Sequence, residues 1–256
     1  MAFHPTSDWQ RQRLELGGGL RFDGTETGTV QNISSASPLV PGAAWTFYAF
    51  LRINTLSTNS SSTWILFQNT FSAGTTFSLR VAIAASSTNG LGAVLTGTLF
   101  SVLSNSSQNT SVVNVPYKLG ELALITLVRF ASGQVQVTVN GVAGTVTSPN
   151  TQLPYGSFRT VITGGFVNSN TWTNRRIGHF DLIDNYAMSA EEMRRLFNGR
   201  RGSSYRDSHL GAFASLFRYE LNEASGAVAF DSSGQTPATP RNLTLAGSPA
   251  FGDFYS

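Results

Sequence analysis

The stretch at residues 168–174 carries the side chains with the clearest chemical use. Trp172 stands there among amides, with Asn170 and Asn174 two positions to either side. An exposed indole can stack on the apolar face of a sugar ring, and neighbouring amides can bind the sugar hydroxyls. Trp64, which follows a long polar stretch, is a second candidate of the same kind. The pattern predicts a carbohydrate site, and the alternative that Trp172 packs beneath its own loop stays open, because a tryptophan is rarely left fully exposed.

Cleavage of a glycosidic bond needs two carboxylates that flank the bond. On a strand such residues share a face when they are two positions apart, and the chain has no Glu-x-Asp-x-Glu pattern. The nearest pair, Asp181 and Asp184, is three positions apart, which predicts opposite faces. The histidines His4, His179 and His209 are scattered, and no Gly-x-Ser-x-Gly elbow accompanies them. We therefore expect that the protein is not an enzyme.

Metal binding is limited by the residues that the chain offers. It has no cysteine, which excludes thiolate sites and disulfides. Oxygen ligands at strand ends or turns suit calcium, and Asp23, Asp184 and Asp231 lie at such positions, with Asn185 beside them. The same residue types are common in turns because their side chains hydrogen-bond the local backbone. Calcium is the one cofactor that these residues leave open.

The positive charge of the chain is small and almost entirely due to arginine. The net charge is +3, and Lys118 is the single lysine. This composition fits either a surface for phosphate or carboxylate groups or a bias in the coding sequence. Acidic residues are interspersed with the arginine pairs at 175–176, 194–195 and 200–201, so we expect no nucleic-acid partner. We also expect no membrane span and no secretory signal, since the chain has no run of 18 apolar residues and its start has no apolar core.

Alternating apolar residues indicate the strands that must position these side chains. In residues 134–140 valines alternate with polar residues, and the following Asn140-Gly141 pair predicts a type I′ hairpin turn. This strand is expected to pair antiparallel with the preceding strand at residues 122–130, across a turn at residues 131–133. Residues 45–53 are apolar on both faces, which predicts a strand inside the sheet that is covered on both sides. Further strands are predicted at 20–22, 64–67, 76–84, 92–103, 111–115, 157–165, 176–183, 216–221 and 242–245.

A single helix is predicted after residue 188. Ser189-Ala-Glu-Glu192 is a capping box, in which the serine and the second glutamate satisfy each other's backbone N–H groups. Met193, Leu196 and Phe197 form an apolar stripe, and Gly199 ends the helix. Short strands with turns between them and one late helix indicate an antiparallel sandwich.

Four segments, taken in their order, resemble the laminin-G-like and concanavalin-A-like lectin jelly-roll domains of the bacterial and phage type. They are Leu20–Gly24 (LRFDG), Trp45–Leu51 (WTFYAFL), the hairpin of residues 122–141 and Asn185–Met193 (NYAMSAEEM). Residues 217–226 and 230–234 (FDSSG) resemble a family segment that commonly leads into the opening strand, whereas here it follows the helix. The resemblance implies an all-β fold, a two-sheet antiparallel jelly-roll sandwich with one short helix towards its C-terminal side.

The resemblance also implies a domain organisation. We expect an N-terminal arm at residues 1–16, the sandwich at 17–199, and a linker and C-terminal extension at 200–256 that completes the sandwich or docks onto a neighbour. The family often has an acidic residue where this chain has His179, which weakens an inherited calcium site, whereas the family's basic residue after the core strand is retained as Arg52.

From these patterns we expect a non-catalytic structural or binding module. The first expectation is a phage virion surface protein, such as a capsid decoration, head-fibre or tail component, with a lectin-like fold that binds glycans. Its partners would be other virion proteins, further copies of itself and a cell-surface glycan. The alternative is a secreted or surface bacterial lectin located outside the cell, and a more remote alternative is a degenerate glycan hydrolase.

Overall fold

The structure of this chain is a computed structural model. The described residues are 18–22, 27–30, 43–54, 64–70, 76–85, 93–103, 106–146, 161–163, 175–199, 213–223, 225–234, 242–246 and 250–253.

Strands dominate the described residues. In the first half of the chain they are β1 (Gly18–Phe22), β2 (Thr27–Val30), β3 (Trp45–Ile53), β4 (Trp64–Thr70), β5 (Thr76–Ala85), β6 (Ala93–Leu103), β7 (Ser106–Tyr117) and β8 (Leu122–Arg129). In the second half they are β9 (Val135–Val139), β10 (Val142–Ala143), β11 (Val161–Thr163), β12 (Arg175–Asp184), β13 (Ser215–Tyr219), β14 (Val228–Ala229), β15 (Leu243–Ala246) and β16 (Ala250–Asp253). The helix α1 (Ala190–Gly199) lies between β12 and β13, and no helix of the described part is long and apolar enough to cross a bilayer.

The described strands form three antiparallel sheets. The large sheet has the order β10-β9-β8-β3-β12-β1-β16, and β13 pairs with the second half of β12. The meander sheet has the order β4-β5-β6-β7, and the small sheet has the order β11-β2-β15-β14. Strands β13, β15 and β16, which follow the helix in the chain, thus pair with strands that precede it.

The main core lies between the large sheet and the other two sheets. One buried cluster joins Leu51 and Val137 of the large sheet to Val113 of the meander sheet and Leu243 of the small sheet. Two antiparallel layers that face each other across one apolar core form a sandwich. The predicted all-β jelly-roll sandwich with one short helix is therefore confirmed.

A second buried cluster covers the opposite, outer face of the large sheet. There Tyr48 and Phe50 of β3 lie with Met193 and Leu196 of α1. Because side chains alternate along a strand, β3 sends its other side chains into the main core, and all of its residues except Arg52 are buried. The prediction that residues 45–53 are covered on both sides is confirmed.

The hairpin of β8 and β9 ends in the predicted turn, here called the Asn140 turn (residues 140–141). The φ angles are 53° at Asn140 and 76° at Gly141, so both central residues have the positive φ of a type I′ turn. The Asn140 side chain also accepts a hydrogen bond from the Leu124 N–H at 2.9 Å. A Cβ on Gly141 would stand 3.0 Å from the Cα of Arg194, so the absence of a side chain lets α1 approach the turn.

The predicted capping box begins the helix. The Ser189 N–H donates to Glu192 Oε2 at 2.8 Å, and the Glu192 N–H donates to the Ser189 hydroxyl at 3.3 Å. Partial burial by itself would raise the pKa of Glu192, but hydrogen bonds from the Tyr186 hydroxyl and from Ser189, with Arg195 nearby, bring that pKa below its ordinary value. Glu192 is thus charged at neutral pH, where it stabilises the start of the helix.

Two buried hydroxyls connect segments that are distant in the chain. The Ser111 hydroxyl of β7 accepts from the Val137 N–H at 3.1 Å and donates to the Thr145 carbonyl at 2.8 Å. The Tyr117 hydroxyl accepts from the Ile53 N–H at 3.0 Å, and burial raises the pKa of Tyr117 to about 12. These bonds fasten the meander sheet to the large sheet at the middle and at the C-terminal end of β7.

Candidate binding site

Most of the residues predicted to bind carbohydrate lie outside the described part of the chain. Asn170, Trp172 and Asn174 lie outside it. Asp23 of the predicted calcium set also lies outside it. Trp64 begins β4, where its backbone pairs with Val81 of β5. The carbohydrate site at Trp172 therefore stays a prediction.

The two described aspartates of the predicted calcium set are held by different partners. Asp231 Oδ1 accepts hydrogen bonds from the backbone N–H groups of Arg218 at 3.0 Å and Ser233 at 2.9 Å. Asp184 ends β12, and its Oδ2 accepts from the Asn185 amide at 2.9 Å. Asp231 thus makes the backbone contacts of an Asx-turn, the alternative that the sequence left open. Across the described ranges, histidine, aspartate and glutamate nowhere form a group of three or more that could hold a metal ion.

The carboxylates that could have suggested glycan hydrolysis do not face one another. Asp181 is buried and pairs with Tyr48, whose side chain is on the outer face of the large sheet. Asp184 pairs with Trp45, whose side chain lies in the main core. The predicted placement on opposite faces is confirmed, so these two carboxylates cannot flank one glycosidic bond.

His179 is part of the buried outer face. Its Nε2 lies 2.9 Å from the Tyr48 hydroxyl, and the two rings are parallel with centroids 5.6 Å apart. Between Ile177 and Phe180 the register of β12 against β3 shifts, and this β-bulge turns His179 towards Tyr48. The histidine is 2% exposed, so it is a packed side chain of this face.

One aromatic side chain of the described part is presented to solvent by a hydrogen-bonded turn, here called the Phe230 turn (residues 230–234). Phe230 is 60% exposed, the largest value among the exposed large apolar residues. Residue 229 is buried in the main core, so alternation at the end of β14 directs the Phe230 ring outwards. The exposed ring therefore results from the strand geometry of the segment.

The backbone of the Phe230 turn is fixed at successive residues. The Phe230 N–H donates to Glu223 Oε1 at 2.7 Å, and the Asp231 N–H donates to Asn242 Oδ1 at 3.2 Å. The Ser232 N–H then donates to the Arg218 carbonyl at 2.7 Å. Two neighbouring segments thus hold the backbone that carries the ring, which lowers the backbone entropy that would be lost if a ligand packed on it.

Polar side chains lie on the turn itself and on residues 218–223, which hold its backbone. Glu220 accepts hydrogen bonds from the Arg218 guanidinium and, at 3.2 Å, from the Asn222 amide. Asn222 and Ser232 are exposed. A flat apolar ring beside amide, hydroxyl and carboxylate groups can take up one face of a sugar and bind its hydroxyls.

Phe230 was missed by the sequence reasoning, which placed the aromatic platform at tryptophans. The signal was present in the FDSSG segment, where an aromatic residue stands directly before an Asx-turn. Because Ala229 points into the core, the next residue, Phe230, must point outwards. The inward direction of Ala229 follows from the pairing of β14 with β15, which the sequence alone does not give.

The chain has no match among protein-family models or among curated proteins. Among solved structures it is similar to the native heptameric SAP-like pentraxin of Limulus polyphemus, with 14% identity over 71% of this chain and 82% of that chain and a TM-score of 0.46. It is similar to a botulinum neurotoxin serotype D binding domain, with 10% identity over 72% of this chain and 43% of that chain and a TM-score of 0.45. A botulinum neurotoxin type C structure, described with two ganglioside molecules, has 13% identity over 64% of this chain and 37% of that chain and a TM-score of 0.41. The chain spans less than half of either toxin chain, and TM-scores below 0.5 carry no argument about what it binds.

Proposed function

We propose that this protein is a non-catalytic binding module that holds a glycan at the Phe230 turn. The observation that carries the proposal is the 60% exposure of Phe230 on a backbone held by Glu223, Asn242 and Arg218. Scattered apolar side chains on a surface are ordinary. A rigid aromatic side chain next to exposed amide and hydroxyl groups has the composition of a binding surface, because rigid rings provide contact area at a small entropic cost.

The polar groups beside the ring have separate roles in this proposal. Asn222 and Ser232 are exposed and would contact ligand hydroxyls. Glu223 acts as a positioning residue, because its Oε1 holds the Phe230 backbone and its Oε2 is buried. Glu223→Ala, which removes the acceptor, is therefore expected to weaken binding through the placement of the ring, and Asn222→Ala through a lost contact.

A glycan array with matched variants tests the proposal. Phe230→Ala removes the platform, and Val142→Ala is the control because Val142 is a similarly exposed apolar residue, at 51%, on the edge strand β10. We expect the glycans bound by the wild type to be lost, or bound about tenfold more weakly, in Phe230→Ala and unchanged in Val142→Ala. Equal binding by Phe230→Ala and wild type would contradict the proposed site. Trp172→Ala on the same array tests the other predicted platform.

The location of the module on a phage virion is a second part of the proposal. It is supported by the low charged fraction of 12% and the Ser/Thr/Asn-rich composition, which are typical of β-rich surfaces and of extracellular or virion proteins. Sequencing of the flanking genes tests it. Capsid or tail genes on both sides support a virion component, whereas secretion or surface-anchoring genes support the bacterial lectin. Light scattering of the purified chain reports whether it binds further copies of itself.

A further inference from the structure

The segment that carries the Phe230 turn is negative, although the chain as a whole is positive. Residues 213–234 contain the carboxylates Glu220, Glu223 and Asp231 and a single cationic side chain, Arg218, so the segment has a net charge of −2. The whole chain has a net charge of +3. Exposed charges are screened beyond a Debye length of about 8 Å in physiological salt. A ligand at the turn therefore responds to these nearby groups more than to the net charge of the chain.

Glu220 is the carboxylate of this segment that has a cationic partner. The Arg218 guanidinium forms an ion pair with it, and the Asn222 amide donates to it at 3.2 Å. The charges of Glu220 and Arg218 therefore largely cancel at the distance of a ligand. The negative charge that remains belongs to Glu223 and Asp231.

Backbone N–H groups hold these two carboxylates. Glu223 Oε1 accepts from the Phe230 N–H at 2.7 Å, and Asp231 Oδ1 accepts from the N–H groups of Arg218 at 3.0 Å and Ser233 at 2.9 Å. In the described part of the chain neither carboxylate forms an ion pair, and both residues are half-buried. Hydrogen bonds from neutral N–H groups fix the two carboxylates in place and leave their charge.

Both charges lie close to the exposed ring. Glu223 bonds the backbone of Phe230 itself, and Asp231 is the next residue, with its Cα about 3.8 Å away. A ligand group packed on the ring therefore lies within roughly one Debye length of each carboxylate. The face of an aromatic ring also carries partial negative charge and attracts cations. The ring and the two carboxylates thus favour the same sign of charge in a ligand.

We propose that the Phe230 turn prefers glycans with protonated amines, that is amino sugars without N-acetyl groups, over glycans with carboxylate groups. This inference rests on the proposed function of the turn and names the class of glycan. The ammonium group lies over the ring or beside Glu223 and Asp231, and the sugar hydroxyls contact Asn222 and Ser232. A carboxylate at the same place meets like charge, and a neutral N-acetylated sugar has only the stacking and hydroxyl contacts.

Matched hexasaccharides test this preference. Hexamers of glucosamine and of galactosamine are titrated in three forms: with free amines, with N-acetyl groups, and with N-acetyl groups and the 6-hydroxyls oxidised to carboxylates. A pH of about 6 keeps the amines protonated. We expect the amine form to bind about fivefold more tightly than the N-acetylated form and the carboxylate form about fivefold more weakly, with both differences smaller at high salt. A carboxylate form that binds as tightly as the amine form would overturn the proposal.

Variants that remove charge and keep the hydrogen bonds locate the preference. Asp231→Asn and Glu223→Gln retain an acceptor oxygen for the backbone N–H groups, so the ring stays in place. Glu191→Gln makes the same change of charge on α1, where Glu191 pairs with Arg194 and Arg195. We expect Asp231→Asn to lower the ratio of amine to carboxylate affinity by about half or more, the double variant to bring it close to one, and Glu191→Gln to leave it unchanged. An unchanged ratio in the double variant, or an equal change in Glu191→Gln, would overturn the proposal.

Phe230→Ala separates this preference from the proposed function. We expect it to weaken the binding of all three forms about tenfold. Unchanged binding of all three forms in this variant would contradict both the site and the preference. Binding that depends on the ring, with equal affinities for the three forms, would contradict the charge preference alone.

Discussion

The Asn140 turn and the Phe230 turn use the same local chemistry for different purposes. Each contains a side-chain oxygen that accepts a backbone N–H from another strand, Asn140 for Leu124 and Asp231 for Arg218. Each also contains a glycine with nearly the same positive φ, 76° at Gly141 and 74° at Gly234. The difference lies in what covers them. A Cβ on Gly141 would press on Arg194 of the helix, whereas one on Gly234 would meet nothing within 4 Å.

Turn chemistry alone therefore does not separate a structural turn from a binding turn. The Asn140 turn lies beneath α1, so its geometry serves the packing of the helix on the large sheet. The Phe230 turn has no described neighbour above it, so the same kind of hydrogen bonding holds a ring in solvent. Substitutions at equivalent positions should therefore affect stability at the first turn and binding at the second.

The largest effect is expected from Gly141→Ala. The variant forces an alanine into positive φ and pushes its Cβ against the helix backbone, so we expect a loss of about 2–4 kcal/mol in the free energy of unfolding. Gly234→Ala is the matched control, with strain and no clash, and we expect a loss of about 1 kcal/mol. Urea unfolding of both variants measures the difference. Equal losses would show that the contact with Arg194 contributes nothing.

A smaller effect is expected from Asn140→Ala. It leaves the Leu124 N–H without its side-chain acceptor in a buried strand, so the free energy of unfolding should fall by about 1–3 kcal/mol. Asn140→Asp keeps an acceptor oxygen and should retain most of the stability. In the Phe230 turn, Asp231→Ala removes an acceptor near the surface and should cost less, about 0.5–1.5 kcal/mol. A reversed order of the two alanine variants in thermal unfolding would show that the hydrogen bond of Asp231 contributes more to stability than that of Asn140.

Acid should loosen the helix that covers the Asn140 turn. The pKa of Glu192 is lowered in the folded protein, so its contribution to stability is fully present above the unfolded-state pKa and is lost as the pH falls through the folded-state pKa. We expect stability to decline as the pH falls below the ordinary pKa of a glutamate, with a component that disappears in Glu192→Gln. Ser189→Ala, which removes the other half of the capping box, should cost about 1 kcal/mol at neutral pH. A Glu192→Gln variant with an unchanged acid profile would contradict this assignment.

The smallest effect on stability is expected from Phe230→Ala. The ring is mostly in solvent, so its removal should change the free energy of unfolding by less than about 0.5 kcal/mol while glycan binding is lost. Thermal unfolding and the glycan array, measured on the same preparation, test both statements. A large loss of stability would show that the ring is a packing residue and that its exposure serves no ligand.

The parts of this fold that follow from local patterns could be predicted from the sequence. The alternation at residues 134–140, the Asn140-Gly141 pair and the Ser189–Glu192 box involve residues close together in the chain, and the structure confirms each of them. The two-sided burial of β3 was also predicted, because both faces of residues 45–53 are apolar.

The parts that depend on pairing between distant strands could not be predicted in this way. Arg21, Arg52 and Arg176 become neighbours only through the registers of β1, β12 and β3, and nothing near any of the three residues encodes those registers. The outward direction of Phe230 depends on the pairing of β14 with β15 in the same manner. β16 was interpreted only as part of an aromatic tail, because four residues with two small side chains show no clear strand period.

The pairing of β1 with β16 has a consequence for biosynthesis. Gly18 pairs with Asp253, so one edge of the large sheet joins segments from opposite ends of the described chain. Both residues 18–22 and residues 250–253 must have been synthesised before this edge can form, and closing so long a loop is slow. Until then β1 has an unpaired backbone edge on that side, which can pair with other nascent chains, so we expect chaperone binding at residues 18–22 to raise the yield of folded protein.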